Sequence, residues 1–259
     1  MRTLRLIGIG PGDPRQITIE AIEALQDVDV FLSMDKERTR NCGAANKSLS
    51  DARREICARY LQGREPRFVE IDDPPRAPNP EDYDAEVRRW HTERAVRVAT
   101  ALAEHTAEDG IAAFLVWGDP SLYDSTLRIA EQVRELGQLK LQVEVVAGIS
   151  SVAALTAAHQ IPANRIGKPI HITTGRRLAE GGSGQCGNQV VMLDANCSFQ
   201  HSANPGDRIW WGAYLGTRDQ ILISGTIEEV GAEIVATRAR AREQMGWIMD
   251  IYLVRSNDD

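Results

Sequence analysis

Four strand-like runs, mainly apolar, fall in the first 150 residues, and most close on glycine or another small residue: LRLIGIG (4–10), DVFLSM (29–34), IAAFLVWG (111–118) and QVEVVAG (142–148). A strand without polar alternation is covered on both faces, which requires helices packed on either side of a parallel sheet. The matching helical patterns are QITIEAIEALQ (16–26), DSTLRIAEQVRELG (124–137) and SSVAALTAAHQ (150–160). The pattern therefore predicts an α/β fold with a largely parallel sheet and crossover helices.

Between residues 36 and 105 the chain is more polar. SLSDARREICARYLQG (48–63) reads as a helix capped by Ser48 or Ser50 and stopped by Gly63, and RFVEI (67–71) as a strand. DDPPRAPNPEDYD (72–84) is too rich in proline for regular structure. It leads into a long helix, 85–105, whose Trp90, Ala95, Val98 and Leu102 would share a buried face. After IPANRIGKP (161–169), a linker broken by Pro162 and Pro169, strands dominate: 169–175, 189–194, 207–214, 221–225 and 247–254, with one strong helix at 226–245. Two α/β domains are expected, 1–164 and 166–259. Trp210 and Trp211 alternate across a strand, so one is expected in the core and the other at a rim, and Trp247 in the core.

The formal net charge of −7 argues against nucleic acid as a partner, because that binding needs clustered Lys and Arg. No run approaches the roughly 20 apolar residues of a membrane span, and MRTLRLIGIGPGD runs into a glycine turn without a signal-peptide core. The expectation is a cytoplasmic protein. Cys42, Cys57, Cys186 and Cys197 lack C-x-x-C spacing and read as reduced thiols. Cys197 and His201 have no second pair of ligands to complete a metal site, so no metal is expected.

GIGPGD (8–13) sits where α/β proteins hold nucleotides, but it fails both phosphate readings. The third glycine of a dinucleotide fingerprint is replaced by Asp13, which would oppose a pyrophosphate, and Pro11 removes an amide. No Gly-Lys-Ser/Thr follows for a P-loop. A bare strand-to-helix turn would account for this segment alone. Two further loops also follow strands: Gly118-Asp119-Pro120 with Ser121 and Tyr123, and Gly148 with Ser150 and Ser151. Asp119, Ser150 and Ser151 could each be a helix cap, yet three such loops on the carboxyl edge of one sheet describe a site where backbone approaches a ligand.

GIGPGD, WGDPSLYDST, AGISSVAAL and TTGRRL, in this order, resemble the tetrapyrrole methylases, and the resemblance runs from Leu6 to about Leu253. It implies two α/β domains with the active-site cleft between them, S-adenosyl-L-methionine as donor, S-adenosyl-L-homocysteine as product, a small-molecule tetrapyrrole as acceptor and a homodimer. A finer resemblance lies in DDPPR (72–76), the Trp90-His91 pair, 116–133, 164–182, 210–225 and 246–255. It is to members that methylate carbon 1 of precorrin-5 and release its acyl group as acetate in cobalamin formation. The alternatives are another precorrin or uroporphyrinogen-III C-methyltransferase, and a tetrapyrrole-binding protein without catalysis.

Carried over by position, the resemblance implies donor contacts at Pro11, Trp117, Gly118, Asp119, Leu122, Ser150, Ser151, Met192, Ala213, Tyr214 and Thr226. Methyl transfer from a sulfonium needs alignment and exclusion of water rather than a nucleophilic side chain. Acyl loss calls for water to add to a ketone, so a base is sought among Asp13, Asp119, Tyr123 and His91. Arg176 and Arg177, just past a strand, and Lys36 with Arg38 and Arg40, are expected to meet the acceptor's carboxylates.

Overall fold

The structure is a computed structural model that describes residues 1–35, 43–75, 82–181 and 187–257. It divides into two compact units, Met1–Gly10 with Pro14–Ile149, and Pro11–Asp13 with Ser150–Asp259.

The first unit is built on β1 (Arg2–Gly8), β2 (Val30–Asp35), β3 (Phe68–Asp72), β4 (Ile111–Val116) and β5 (Leu141–Val146). They form one sheet in the order β3-β2-β4-β1-β5, with every neighbouring pair parallel. α1 (Ile19–Leu25) and α2 (Gly43–Tyr60) cover one face, and α3 (Tyr83–His105) and α4 (Thr126–Glu135) the other. Successive strand residues alternate between these layers. Leu4, Leu6, Phe114 and Val116 meet Ala95, Val98 and Leu102 of α3 and Ile129 and Val133 of α4. Ile7, Ile9, Phe31 and Leu115 meet Ala21 and Leu25 of α1 and Ile56 of α2. Burial on both sides is why these strands read as unbroken apolar runs. Thr18 caps α1 by accepting from the Ala21 amide, and Asp82 caps α3 by accepting from the Ala85 amide.

The second unit contains α5 (Ser151–His159), β6 (His171–Thr174), α6 (Gly175–Ala179), β7 (Asn188–Met192), α7 (Phe199–Ser202), β8 (Arg208–Ala213), β9 (Ile221–Thr226), α8 (Ile227–Met245) and β10 (Asp250–Arg255). Its sheet runs β6-β7-β10-β8-β9 and is mixed: β6 and β7 are parallel, the other pairs antiparallel. Leu155 of α5 packs against the Gly212 backbone and shares a cluster with Leu215 and Leu253, so the helix at 151–159 belongs with this unit. α6 and α7, five and four residues long, are too short to leave an amphipathic period in the sequence.

One expectation about the tryptophans is corrected. Trp210 and Trp211 are both buried, because β8 is covered on both faces: Trp211 packs with Phe199 and Ile234, Trp210 with Leu215 and Leu253. Trp247 precedes β10 and presents its ring at 74° to that of Tyr214.

Candidate active site

In the first unit, β4, β1 and β5 are adjacent and parallel, so their exit loops open on one edge. The chain leaves β1 for β2, which lies beyond β4, and leaves β4 for β5, which lies beyond β1. The two loops must run past each other. They do so at Gly10 and Gly118: the Gly10 amide donates to the Gly118 carbonyl at 3.2 Å, and the Gly118 amide to the Gly10 carbonyl at 2.8 Å. Both residues have positive φ, +78° and +71°. The third loop presses in from β5, where a Cβ on Gly8 would stand 2.5 Å from the Gly148 nitrogen. Beside Gly118 the space is open, with no other atom within 4 Å of where a Cβ would be. That is backbone which a ligand can approach closely.

Asp119 braces this arrangement. Its Oδ2 accepts from the Gly148 amide at 2.8 Å, and its Oδ1 accepts from the Ser121 amide at 2.9 Å and from the Ser121 hydroxyl. Partial burial works against the charge, but the bonds from Ser121 and Gly148 outweigh it and hold the carboxyl below its ordinary range. A carboxylate engaged by three donors has little affinity for a further proton, so its geometry is that of a brace rather than a base. The stability it contributes is full above the ordinary carboxylate range and is lost as pH falls through its depressed folded-state value. Asp119→Asn turns an N–H toward a donor, and is expected to cost about 1–3 kcal/mol and to flatten that acid limb. Urea unfolding of both proteins between pH 3 and 7 reads this, and parallel pH profiles would remove the brace.

Tyr123 lies in the same loop with φ +53°, in the left-handed region, and 42% exposed. Burial of its hydroxyl end pushes the phenol's pKa up, so at neutral pH it is a hydrogen-bond donor and not a base. Trp117 packs half-buried against the α1 and α2 side, and the Leu122 amide donates to the Asp119 carbonyl. His91 sits on α3, its ring centroid 5.0 Å from that of Trp90, on a helix rather than on an exit loop.

In the second unit, the register places Thr174, Met192, Ile251 and Gly212 in a row across the sheet, so β6, β7 and β8 end where β10 begins. Met192, Ala213 and Tyr214 therefore share one edge. The Tyr214 amide donates to the Met249 carbonyl, and its hydroxyl donates to the Trp247 carbonyl at 2.6 Å. Pro11, Gly12 and Asp13 also belong to this unit, where a Cβ on Gly12 would stand 2.5 Å from the Leu215 carbonyl oxygen. Arg176 and Arg177 extend from α6 with side chains two-thirds exposed and share one acid, Glu180, at 4.0 and 3.1 Å.

The placement of six expected site residues needs restating. Thr226 pairs with Arg208 at the far end of β8, about 17 Å along the strand from Ala213 at 3.4 Å per residue. There its side chain caps α8 in a reciprocal box with Glu229, so it does not join Met192 and Ala213. Ser150 caps α5 by accepting from the Ala153 amide, and Ser151 is the helix's first residue. Lys36, Arg38 and Arg40 lie outside the described residues.

Two features of this edge were not visible in the sequence. Leu193, directly after Met192, has φ +53° and is 67% exposed, an apolar side chain held outward at a backbone cost. Asp194, buried beneath it, accepts from the Asn196 and Ser198 amides and from the Ser198 and Tyr252 hydroxyls. Its carboxyl also lies where a Cβ on Gly175 would fall, at 2.3–2.5 Å, and so sets where α6 and its arginines begin. An Asp followed by Asn and Ser at these offsets is a turn signal, the one trace of this hub in the sequence.

The family model for tetrapyrrole (corrin/porphyrin) methylases matches residues 3–231. A precorrin-6A synthase (deacetylating) from Sinorhizobium sp. is 47% identical over the whole chain and 97% of its own length. Among solved structures, a protein from Corynebacterium diphtheriae described as related to cobalamin synthesis (CobF) superposes with a TM-score of 0.81 at 42% identity, covering both chains fully. The uroporphyrin-III C-methyltransferase of Thermus thermophilus, solved with S-adenyl homocysteine, gives 0.59 at 16% identity over 98% of this chain and 92% of that one, a likeness of fold.

Proposed function

The chain belongs to the tetrapyrrole (corrin/porphyrin) methylases, and from that premise we propose that it methylates carbon 1 of precorrin-5 and releases acetate, forming precorrin-6A in cobalamin biosynthesis. The observation that carries this reading is the full-length identity to a deacetylating precorrin-6A synthase, together with the crossed glycine loops. S-Adenosylmethionine supplies an electrophilic methyl group on a sulfonium leaving group. In the first unit Gly118 offers open backbone; in the second, Met192 and Leu193 keep apolar side chains partly or largely exposed, whereas Ala213 and Tyr214 are buried in the core and could meet a donor only through backbone.

What remains for the protein is alignment at about 3–3.5 Å and exclusion of water. Asp119 keeps the loops in register before the donor arrives, so that cost is met on folding. In acyl loss, water adds to the ketone carbon, the carbon–carbon bond to the ring breaks, and acetate departs with the ring keeping the electron pair. The Tyr123 hydroxyl, protonated at neutral pH, is assigned to donate to the developing oxyanion. Arg176 and Arg177 are assigned to the acceptor's carboxylates. Among the described residues no helix is long and apolar enough to cross a membrane; a cytoplasmic homodimer is proposed from the family resemblance alone.

Mass spectrometry of the products from S-adenosylmethionine and enzymatically made precorrin-5 tests the reading. One methyl gained with one acetate released is the expected result, and Tyr123→Phe should slow it about a hundredfold while the donor still binds. Methyl gain without acetate points to another precorrin methyltransferase. Donor binding without turnover of any corrin precursor rejects the acceptor.

A further inference from the structure

The DDPP segment of DDPPR is gripped along its length by α3. Arg97 donates to the Asp72 carbonyl at 2.8 Å, Trp90 to the Pro74 carbonyl at 2.9 Å and Arg89 to the Pro75 carbonyl at 3.2 Å. Between them, Arg94 forks onto the Asp73 carboxylate with two bonds of 2.6 Å. Residues 89, 90, 94 and 97 lie on neighbouring turns of one helix face, so a strap of four residues runs beside it, one α3 side chain to each. The pair is 6% exposed at both residues, and the Arg94 guanidinium lies 3.6 Å from the Trp90 ring centre.

Arg94 also points the other way. Its second terminal nitrogen reaches the Ser125 hydroxyl at 3.4 Å. Ser125 is the residue before α4, yet its side chain makes no capping bond there, which leaves the hydroxyl to Arg94. One buried cation thus joins the strap after β3 to the loop after β4 that carries Tyr123. The two flank a gap in the sheet. β2 and β4 pair only as far as Leu32 and Phe114, although β2 runs on to Asp35 and β4 to Val116. Past that point Arg53 of α2 donates to the Leu115 carbonyl, a residue paired with Ile7 of β1 but no longer with β2. The crossing of the β1, β4 and β5 exits is closed by backbone, whereas the strap and the β4 exit loop both follow carboxyl ends of strands, the edge on which open parallel sheets hold their ligands.

We propose that Arg94 is a positioning residue that fixes the Asp72–Pro75 strap and the Asp119–Ser125 loop as one preformed wall for the acceptor, and so governs acceptor fit. This rests on the methyl-transfer reading. Strap prolines suit the task, since they have little freedom left to lose when a ligand binds.

Two variants and two readouts test it. Arg94→Lys keeps the charge but loses the fork. It should speed hydrogen exchange about tenfold at both 72–73 and 121–126 while the β1 and β4 amides stay protected, as expected for loss of one local tie. Its acceptor KM should rise about tenfold with the donor dissociation constant within about twofold of wild type. The paired change Asp73→Leu with Arg94→Met removes both buried charges together, which leaves such sites about as stable as before. It should melt like wild type and still show the raised acceptor KM, an outcome that a purely stabilising pair cannot give. A native KM in the folded double variant overturns the positioning role, and faster exchange in the strap alone overturns the coupling. If wild type turns over no corrin precursor, the functional reading and the acceptor wall fail together, while exchange separately decides whether Arg94 joins the two segments.

Discussion

Gly148→Ala will abolish donor binding and destabilise the first unit by about 3 kcal/mol or more, the upper end of what overpacking costs. A Cβ on Gly148 would stand 2.1 Å from the Gly118 carbonyl oxygen and 2.8 Å from the Gly8 Cα. All of these are backbone atoms, so no rotamer change relieves the clash. Relief requires the β5 exit to move off β1, which pulls the Gly148 amide from Asp119. Gly118→Ala is the informative contrast: it meets no atom within 4 Å, but its φ of +71° disfavours a side chain by about 1–2 kcal/mol. That variant should fold and bind donor weakly, because its methyl group occupies the open space. Urea unfolding with calorimetric titration of S-adenosylmethionine separates the two. A Gly148→Ala protein that unfolds and binds like wild type would show that the three loops are not packed backbone to backbone.

Asp194→Ala will cost the second unit about 4 kcal/mol, since it strands several buried donors at once. The Ser198 amide, the Asn196 amide and the Tyr252 hydroxyl lose their acceptor, and the Ser198 hydroxyl with them. Burial followed by the Asp194 carboxylate pushes the Tyr252 phenol well above its ordinary value, so that hydroxyl keeps its proton and needs its partner. The damage spreads through Arg238, which donates to the Asp194 and Ala195 carbonyls and pairs with Asp250, itself bonded to the Trp211 indole. For a unit of this size the loss corresponds to a melting point lower by about 15 °C. Trp210, Trp211 and Trp247 all lie in this unit and report its unfolding by fluorescence. A shift of only a few degrees would mean that water takes over the carboxylate's bonds.

Much of the site was legible because it is local. Gly10, Gly118 and Gly148 stand out in the sequence as glycines just after apolar runs, and the structure uses two for positive φ and one for close approach. The role of Asp119 was not legible: the sequence left cap, donor contact and base open, and the amide that decides among them belongs to a residue 29 positions away. Thr226 shows the opposite limit, since residues matched along the chain as one group are set apart by the hairpin register, which places Thr226 opposite Arg208 and Ala213 opposite Ile221. Arg94 and Asp73 read as two of many charges until 21 residues of intervening chain fold them together.

By itself the sequence determined the layers of the first unit, because continuous apolar runs between amphipathic helices are stable only as a parallel sheet covered on both sides. It also singled out Gly10, Gly118 and Gly148, and it disfavoured a phosphate ligand through Pro11 and Asp13. Tertiary structure alone decided strand order, and with it the crossing of the β1 and β4 exits that makes those glycines necessary. It also decided the placement of α5 with the second unit, the Asp194 hub and the strap on α3. The physical reason is one of range: propensity and periodicity act over a few residues, whereas hydrogen bonds to buried charges and backbone contacts between glycines form only where distant segments meet.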